Sequence, residues 1–486
     1  MAGNSPVEAV SPESAVRSDK PLCVDLDGTL VRTDTFLESV LLLLGRKPLL
    51  IFPLFGWLWR GKAYFKARVS ERTALDPALL PYSAELLEFL RRERARGRYL
   101  VLATASNEQF AQRVAGYLGL FDAVVASNQT DNLLGARKLA ALEARFGKNG
   151  FAYAGNARVD VPIWSQADHA ILVNTSRAVQ RTVESRQIRV AHVFSNPARR
   201  LRALVRAARP YQWMKNLLIF IPLVVGHKLR DVPRVETALV AFAAFSLCAS
   251  AVYFLNDVLD LEADRRHESK KNRPFASGDL PLWAGLLAAP LLAAASLGLA
   301  WLVNGPFALF VAGYFAASLV YSVFLKRLPL MDVIFLAGLY TLRIGAGGAA
   351  ADITISPWLL GFSMFFFLSL ALVKRFAELR ALDIGRRAAR GYVAMDLAQL
   401  NTFGTASGYI AVLVFALYIN SPDVRILYSR PLLLWTICPL LVYWISRVWL
   451  LANRGEFHED PVLFALKDKT SYMIGILVAI AMLAAA

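Results

Sequence analysis

Nine apolar segments dominate the second half of the chain, at roughly 214–229, 235–256, 281–303, 306–325, 331–349, 356–374, 402–420, 431–452 and 471–486. Most approach the ~20 residues that a helix needs to cross a bilayer, the first and last being the shortest. They imply an all-α polytopic membrane domain over 214–486. Loops after the second, fourth, sixth and eighth segments hold more than three times as many lysines and arginines as the other loops. That bias puts the richer set in the cytoplasm. The first twenty residues, MAGNSPVEAVSPESAVRSDK, lack the apolar core of a signal peptide and read as a disordered cytosolic tail. A multi-pass protein of the cell membrane with a cytoplasmic N-terminal domain is therefore expected.

Basic loops also account for the net charge of +17, so membrane lipids rather than nucleic acid are the expected partner. The three cysteines, Cys23, Cys248 and Cys438, stand too far apart in sequence for metal-ligand spacing and suggest no disulfide scaffold.

Residues 21–190 have a different texture. Short apolar runs (PLCVDL, YLVLATAS, AVVAS, FAYAGN, HAILVN) alternate with polar helical stretches, which predicts a parallel α/β sheet. Within them, Val40–Trp59 is strongly apolar but broken at Gly45-Arg46-Lys47-Pro48. The break argues against a spanning helix and for a cap (40–59) lying on the bilayer surface. Residues 191–213 read as a basic connector, with Arg199, Arg200, Arg202, Arg206 and Arg209.

The stretch NDVLDLEAD, 256–264, ends the second apolar segment with four acids within eight residues. Asp257, Asp260 and Asp264 are spaced i, i+3, i+7, so on a helix they share one face. Such a cluster needs a cation among its members. The following loop supplies Arg265, Arg266, His267, Lys270, Lys271 and Arg273. Acids and bases mixed at a membrane interface suit a magnesium-bound diphosphate.

NDVLDLEADRRHESKKNRP resembles the first aspartate motif of the UbiA-type intramembrane prenyltransferase superfamily, and the resemblance extends over 205–486. It implies a helical domain around a central cavity, with Mg2+ and diphosphate bound at the cytoplasmic side. Asp257, Asp260 and Asp264, oriented by Asn256, would hold the metal. The second motif departs from the common pattern: YSVFLKRLPLMD carries Tyr321, Lys326, Arg327 and a single acid, Asp332. With RPYQWMKNLLIF and KRFAEL, this is similar to the decaprenyl-phosphate phosphoribosyltransferase branch. There the donor is phosphoribosyl pyrophosphate (PRPP) and the acceptor a polyprenyl phosphate. A lysine in place of an acid suits so anionic a pair of substrates. The resemblance makes Arg265, His267, Lys270 and Arg273 candidates for phosphate contacts, and Lys215, Asn216, Tyr321, Lys326, Lys374 and Arg375 candidates for the other substrate contacts.

CVDLDGTL, 23–30, resembles the first motif of the haloacid dehalogenase (HAD) phosphatase superfamily. Asp25 would then attack phosphorus and Asp27 act as general acid and base, with magnesium between them. The resemblance adds Thr104 (with Ser106 the alternative), Lys138, and a fourth motif YAGNARVD that offers Asn156 and Asp160 as metal ligands. Asn156 stands where the family carries an acid. Together the two resemblances imply a bifunctional enzyme that makes a lipid-linked phosphoribose and removes its 5-phosphate. The alternative is an aromatic-acceptor prenyltransferase with a non-catalytic N-terminal domain; an ion-coupled transporter is a further rival.

Overall fold

The computed structural model describes residues 19–128, 131–194, 199–381, 391–457, 461–465 and 467–486, so the expected tail lies outside them up to residue 18. The chain divides into two units, Met1–Ala207 with Phe254–Leu287, and Ala208–Tyr253 with Ala288–Ala486.

Six strands organise the first unit: β1 (Leu22–Val24), β2 (Leu100–Asn107), β3 (Ala123–Ser127), β4 (Ala152–Gly155), β5 (Ala170–Val173) and β6 (Val190–Phe194). They form one parallel sheet in the order β3-β2-β1-β4-β5-β6. Successive strand residues face opposite ways. Leu22 and Val24 therefore join Leu100, Leu102, Ala152 and Ala154 in one core. Cys23 joins Val101, Ala103 and Tyr153 in the other. Helices Ala84–Ala95 and Glu108–Leu118 complete the first core, and Ala136–Phe146 and Arg177–Ser185 the second. Both faces are covered, which is why the strands read as continuous apolar runs. Strand order reverses between β1 and β4, and a crevice beyond the carboxyl ends of such strands is where parallel sheets place ligands.

The apolar cap is three helices, Thr35–Arg46, Ile51–Trp59 and Lys62–Arg72, with a tight turn Pro48–Leu50 at the break. Leu43, Leu54 and Val69 pack together, while Leu49, Phe52, Phe55 and Trp59 face outward. β6 runs past residue 190 to Phe194, and the expected connector contains the helix Arg199–Ala208.

Among the described residues, seven helices are long and apolar enough to cross a membrane: Val232–Leu259, Leu282–Val303, Gly305–Val323, Met331–Ala351, Pro357–Arg380, Ala394–Ile419 and Pro431–Arg454. The first expected segment is instead a 3-10 stretch, Pro210–Phe220, and a short helix, Ile221–Val225. Pro222 has no N–H to give to the preceding turn, so the ladder breaks there. The last, Lys469–Ala485, has 17 residues. At ~1.5 Å per residue it falls short of the ~30 Å hydrocarbon core.

Small residues bring the helices of the second unit together, as they do in membrane bundles. A Cβ on Gly404 would collide with the Trp449 ring, and one on Gly408 would lie 2.6 Å from Ile445 Cγ2. Ser369 Oγ donates to the Gly404 carbonyl at 2.6 Å and accepts from Trp449 Nε1 at 3.1 Å. Gly404→Leu should therefore destabilise the bundle by about 1–3 kcal/mol through overpacking. Gly298, with nothing within 4 Å of where its Cβ would be, is the control. Thermal melts in detergent should separate Gly404→Leu from Gly298→Leu; identical melting temperatures would contradict the packing described.

Candidate active sites

Asp25 leaves β1 with its N–H on the Ala154 carbonyl at 3.0 Å, so β4 fixes the start of the first motif. Asp27 follows, its Oδ1 accepting from Thr35 N–H at 2.7 Å and its Oδ2 from Ser106 Oγ at 2.7 Å. Directly after Asp27 the backbone turns through Gly28 at φ +75°, where a Cβ would collide with the Asn156 side chain. Only glycine meets both conditions. Lys138 Nζ donates to Asp25 Oδ1 at 2.7 Å and to Tyr153 Oη at 2.9 Å. Burial pushes the Asp25 carboxyl up to about 7, against the pull of Lys138 and with a further push from Asp160 and Asp27. Asp25, Asp27, Ser106, Lys138 and Asn156 line one cavity of about 570 Å³.

Two expectations are corrected here. Thr104 is fully buried, and its Oγ1 accepts from Ser106 N–H at 3.0 Å. The register shift of β2 between Thr104 and Asn107 turns the Ser106 hydroxyl to the cavity instead. Asp160 is no free ligand: Tyr153 Oη donates to its Oδ1 at 3.1 Å, and the amides of Asn156 and Ala157 donate to its Oδ2 at 3.1 and 3.0 Å. It holds the loop that presents Asn156. Two carboxylates and an amide oxygen remain, a set that suits magnesium, which takes few protein ligands besides substrate and water.

The carboxylate motif begins in the helix Val232–Leu259, turns at Asp260 and continues in the helix Leu261–Arg266. Hydrogen bonds from Asp260 N–H to the Asn256 carbonyl (2.9 Å) and from Asp264 N–H to the Asp260 carbonyl (2.8 Å) carry the helical spacing across the turn. Arg273 Nη1 donates to Asp257 Oδ1 at 3.2 Å and to Asp264 Oδ2 at 2.7 Å, so it is a cation that the acids share. Burial raises the Asp264 carboxyl above its ordinary range, with Arg273 opposing. Asn256 Oδ1 is buried without a hydrogen-bond partner among the described residues. Such an oxygen beside two converging carboxylates fits a magnesium site completed by substrate. Among the described residues no three acidic, His or Cys side chains converge as a complete metal cage.

Arg265 does not take the phosphate-contact place expected of it. Its Nε donates to the Ala276 carbonyl at 2.9 Å, and both Nη groups grip the Glu38 carboxylate. His267 is exposed, its Nδ1 3.3 Å from Ser269 N–H, and Lys270 is half-buried.

The remaining candidates belong to the second unit. Asn216 is buried in a network, with its Nδ2 on Ser246 Oγ at 3.0 Å and its Oδ1 accepting from Arg343 Nε at 2.9 Å. Arg343 also reaches the Leu339 carbonyl and Tyr314 Oη, under the rings of Tyr314, Tyr340 and Phe245. No motif flags this arginine; its signal is a lone cation within an apolar segment. Arg375 Nε donates to Asp332 Oδ2 at 2.6 Å, Tyr392 Oη donates to Asp332 Oδ1 at 2.6 Å, and Arg375 also meets Glu378. Asn216 and Arg375 are thus held by protein partners instead of facing a substrate. Lys215 lies over the Tyr340 ring, and Tyr321 stacks on Phe335. Lys326, in the turn Leu325–Arg327, and Lys374 are half-buried.

Residues 218–471 match the UbiA prenyltransferase family, and residues 22–164 match the haloacid dehalogenase-like hydrolases. The uncharacterized protein y4nM of Sinorhizobium fredii is 36% identical over 464 residues, 94% of this chain and 90% of that protein. The decaprenyl-phosphate phosphoribosyltransferase of Mycolicibacterium smegmatis is 36% identical over 232 residues, 47% of this chain and 73% of that protein. A solved UbiA homolog from Archaeoglobus fulgidus, bound to DMAPP and Mg2+, aligns at a TM-score of 0.44 and 18% identity, covering 58% of this chain and 98% of that one.

Asp160→Ala removes three hydrogen bonds at once and leaves buried donors unsatisfied, at about 1–3 kcal/mol for each such group. Hydrogen exchange at the Asn156 and Ala157 amides should accelerate well above that of β4. Unchanged protection would refute the loop-holding role.

Proposed function

The chain belongs to the UbiA prenyltransferase family, with a haloacid dehalogenase-like domain at its N-terminus, and we propose that it transfers phosphoribose from PRPP to a polyprenyl phosphate and then removes the 5-phosphate. The observation that carries the choice of substrate is Asp332. This sole acid of the second motif is fully buried and engaged by Arg375 and Tyr392. Among the described residues of the second motif no other acid joins it as a metal-binding set, while Lys326 and Lys374 would supply positive charge for a second anionic substrate. The similarity to decaprenyl-phosphate phosphoribosyltransferases supports the same reading.

Asp257 and Asp264, with the Asn256 oxygen and Asp260 beside them, are the groups that would hold magnesium, which when bound neutralises charge on the departing pyrophosphate. An oxygen of the lipid phosphate forms the new bond to ribose C1 as the bond from C1 to pyrophosphate oxygen breaks. Arg273, already shared by both carboxylates, would follow the pyrophosphate.

In the α/β domain Asp25, Asp27 and the Asn156 oxygen would hold a second magnesium. The Asp25 carboxylate attacks phosphorus, and the ribose 5-oxygen leaves with a proton from Asp27. Asp27 is steadied for this by Thr35 N–H and Ser106 Oγ. Lys138 balances charge on Asp25 and the phosphoryl group. Water, deprotonated by Asp27, then releases phosphate.

The rim of this cavity supports a lipid-linked substrate. It includes Phe36, Phe110, Leu282 and Trp283, and Leu282 is the first residue of the membrane helix Leu282–Val303. The cap would lie on the cytoplasmic face of the cell membrane, since Phe52 is 73% and Trp59 97% exposed between basic flanks.

Asp257→Asn should lower lipid–ribose formation by a factor on the order of 10² as charge stabilisation is lost. Asp25→Asn should leave transfer intact and make lipid-linked 5-phosphoribose accumulate. Mass spectrometry of the extracted lipid reads both. Full transfer by Asp257→Asn refutes the first site, and identical products from wild type and Asp25→Asn refute the second.

A further inference from the structure

The loop that carries the transferase carboxylates is gripped by the segment that leaves the phosphatase motif. Thr35, whose N–H binds Asp27, opens the helix Thr35–Arg46, and Glu38 sits one turn along it. The Glu38 carboxylate takes both Nη groups of Arg265, the neighbour of Asp264. The pair is buried, with side chains 6% and 5% exposed. Arg46, at the far end of the same helix, pairs with Glu262 at 2.9 Å. A third tie comes from Arg32, which meets Asp279 at 3.6 Å; Arg206 holds the same Asp279 at 2.7 Å. Next to it Gly278, at φ +73°, packs so closely on Arg32 that a Cβ there would collide with it. Glu38, Arg46 and Arg32 thus bracket the loop on both sides of Arg273.

A bidentate arginine–carboxylate pair fixes direction as well as distance. Out of water neither charge can be left alone, so breaking the pair is strongly destabilising for the segments that carry it. Arg265 immediately follows Asp264, and Arg273 Nη1 lies between Asp264 and Asp257. We infer that Glu38 and Arg265 are positioning residues for the transferase donor site: the N-terminal domain sets the separation of Asp257 and Asp264 through the helix Thr35–Arg46. The inference rests on the reading of those aspartates as the diphosphate site. It gives the fusion a mechanical role that does not depend on turnover by Asp25. Linkage then requires that a ligand at the carboxylates also steadies the helix that begins on Asp27.

The test uses the full chain in lipid nanodiscs, with Mg2+ and inorganic pyrophosphate as the probe. Calorimetry on Glu38→Gln, which keeps the shape and loses the charge, should show binding weaker by on the order of 10-fold, as for supporting groups behind metal ligands. Asp279→Asn, at a less buried tie, should shift it the same way by less. In turnover the KM for PRPP should rise while the KM for polyprenyl phosphate stays put, a split that general destabilisation would not give. Hydrogen exchange over residues 35–46 should slow when Mg2+ and pyrophosphate are added to wild type. Failure of wild type to bind the probe would sink the site assignment itself. Wild-type binding matched by both folded variants would overturn the positioning role alone. Should Glu38→Gln not fold, Asp279→Asn decides by the same measure.

Discussion

A carboxylate taken out of water must be given a cation, and the cost of leaving one alone, about 3–5 kcal/mol when a buried pair is broken, shapes each site in this protein. Among the described residues the same solution recurs, at Asp25 with Lys138, Glu38 with Arg265, Glu93 with Arg98, Asp257 and Asp264 with Arg273, and Asp332 with Arg375. What differs is how firmly the cation is held. Arg375 is 3% exposed against a fully buried Asp332, so that pair is fixed architecture. Arg273 is 28% exposed and bound through one nitrogen, so it can swing aside and stay near when a divalent cation and its phosphate arrive. Lys138, 4% exposed, is held as firmly as Arg375, and at Asp25 it is the open cavity beside the pair that leaves room for a substrate.

The two phosphate chemistries proposed for this chain would be kept apart by their groups. Each has its own carboxylate pair and its own base, Lys138 in one and Arg273 in the other. Neither base serves the other site. What the two share is backbone: the segment from Asp27 to Arg46 begins at one site and ends on the loop of the other. A phosphorylated, lipid-linked product would need only to exchange its phosphate between neighbouring cationic sites while its chain stays in the bilayer. The apolar rim at Leu282 and Trp283 and the outward-facing Phe52, Phe55 and Trp59 fit a substrate that does not leave the membrane.

Much of this was legible in the residues. Short apolar runs alternating with polar helical stretches announced the parallel sheet, and the aspartates at the end of β1 announced its site. The spacing of Asp257 and Asp264 was enough to demand a shared cation. Which of six bases supplied it was not legible, because sequence records charge and not direction: Arg265 turns to Glu38, while Arg273 turns to the aspartates. Thr104 and Ser106 were indistinguishable until the irregular register at the end of β2 was seen. The first apolar segment read as a helix because hydrophobicity does not record the broken ladder at Pro222. Arg343 carried no motif at all, since its hydrogen-bond partners outside its own helix, Asn216 and Tyr314, lie on two elements distant in sequence.

The account is tested most directly with PRPP that carries radiocarbon in the ribose and radiophosphorus in the 5-phosphate. The purified protein, polyprenyl phosphate and Mg2+ are incubated together, and the organic-extractable lipid is counted for both labels. Transfer followed by dephosphorylation predicts radiocarbon in the lipid and radiophosphorus as free phosphate in the aqueous phase. Both labels retained together in the lipid would contradict the phosphatase half. Radiocarbon left in the aqueous phase, with polyprenyl phosphate unconsumed, would contradict the account as a whole.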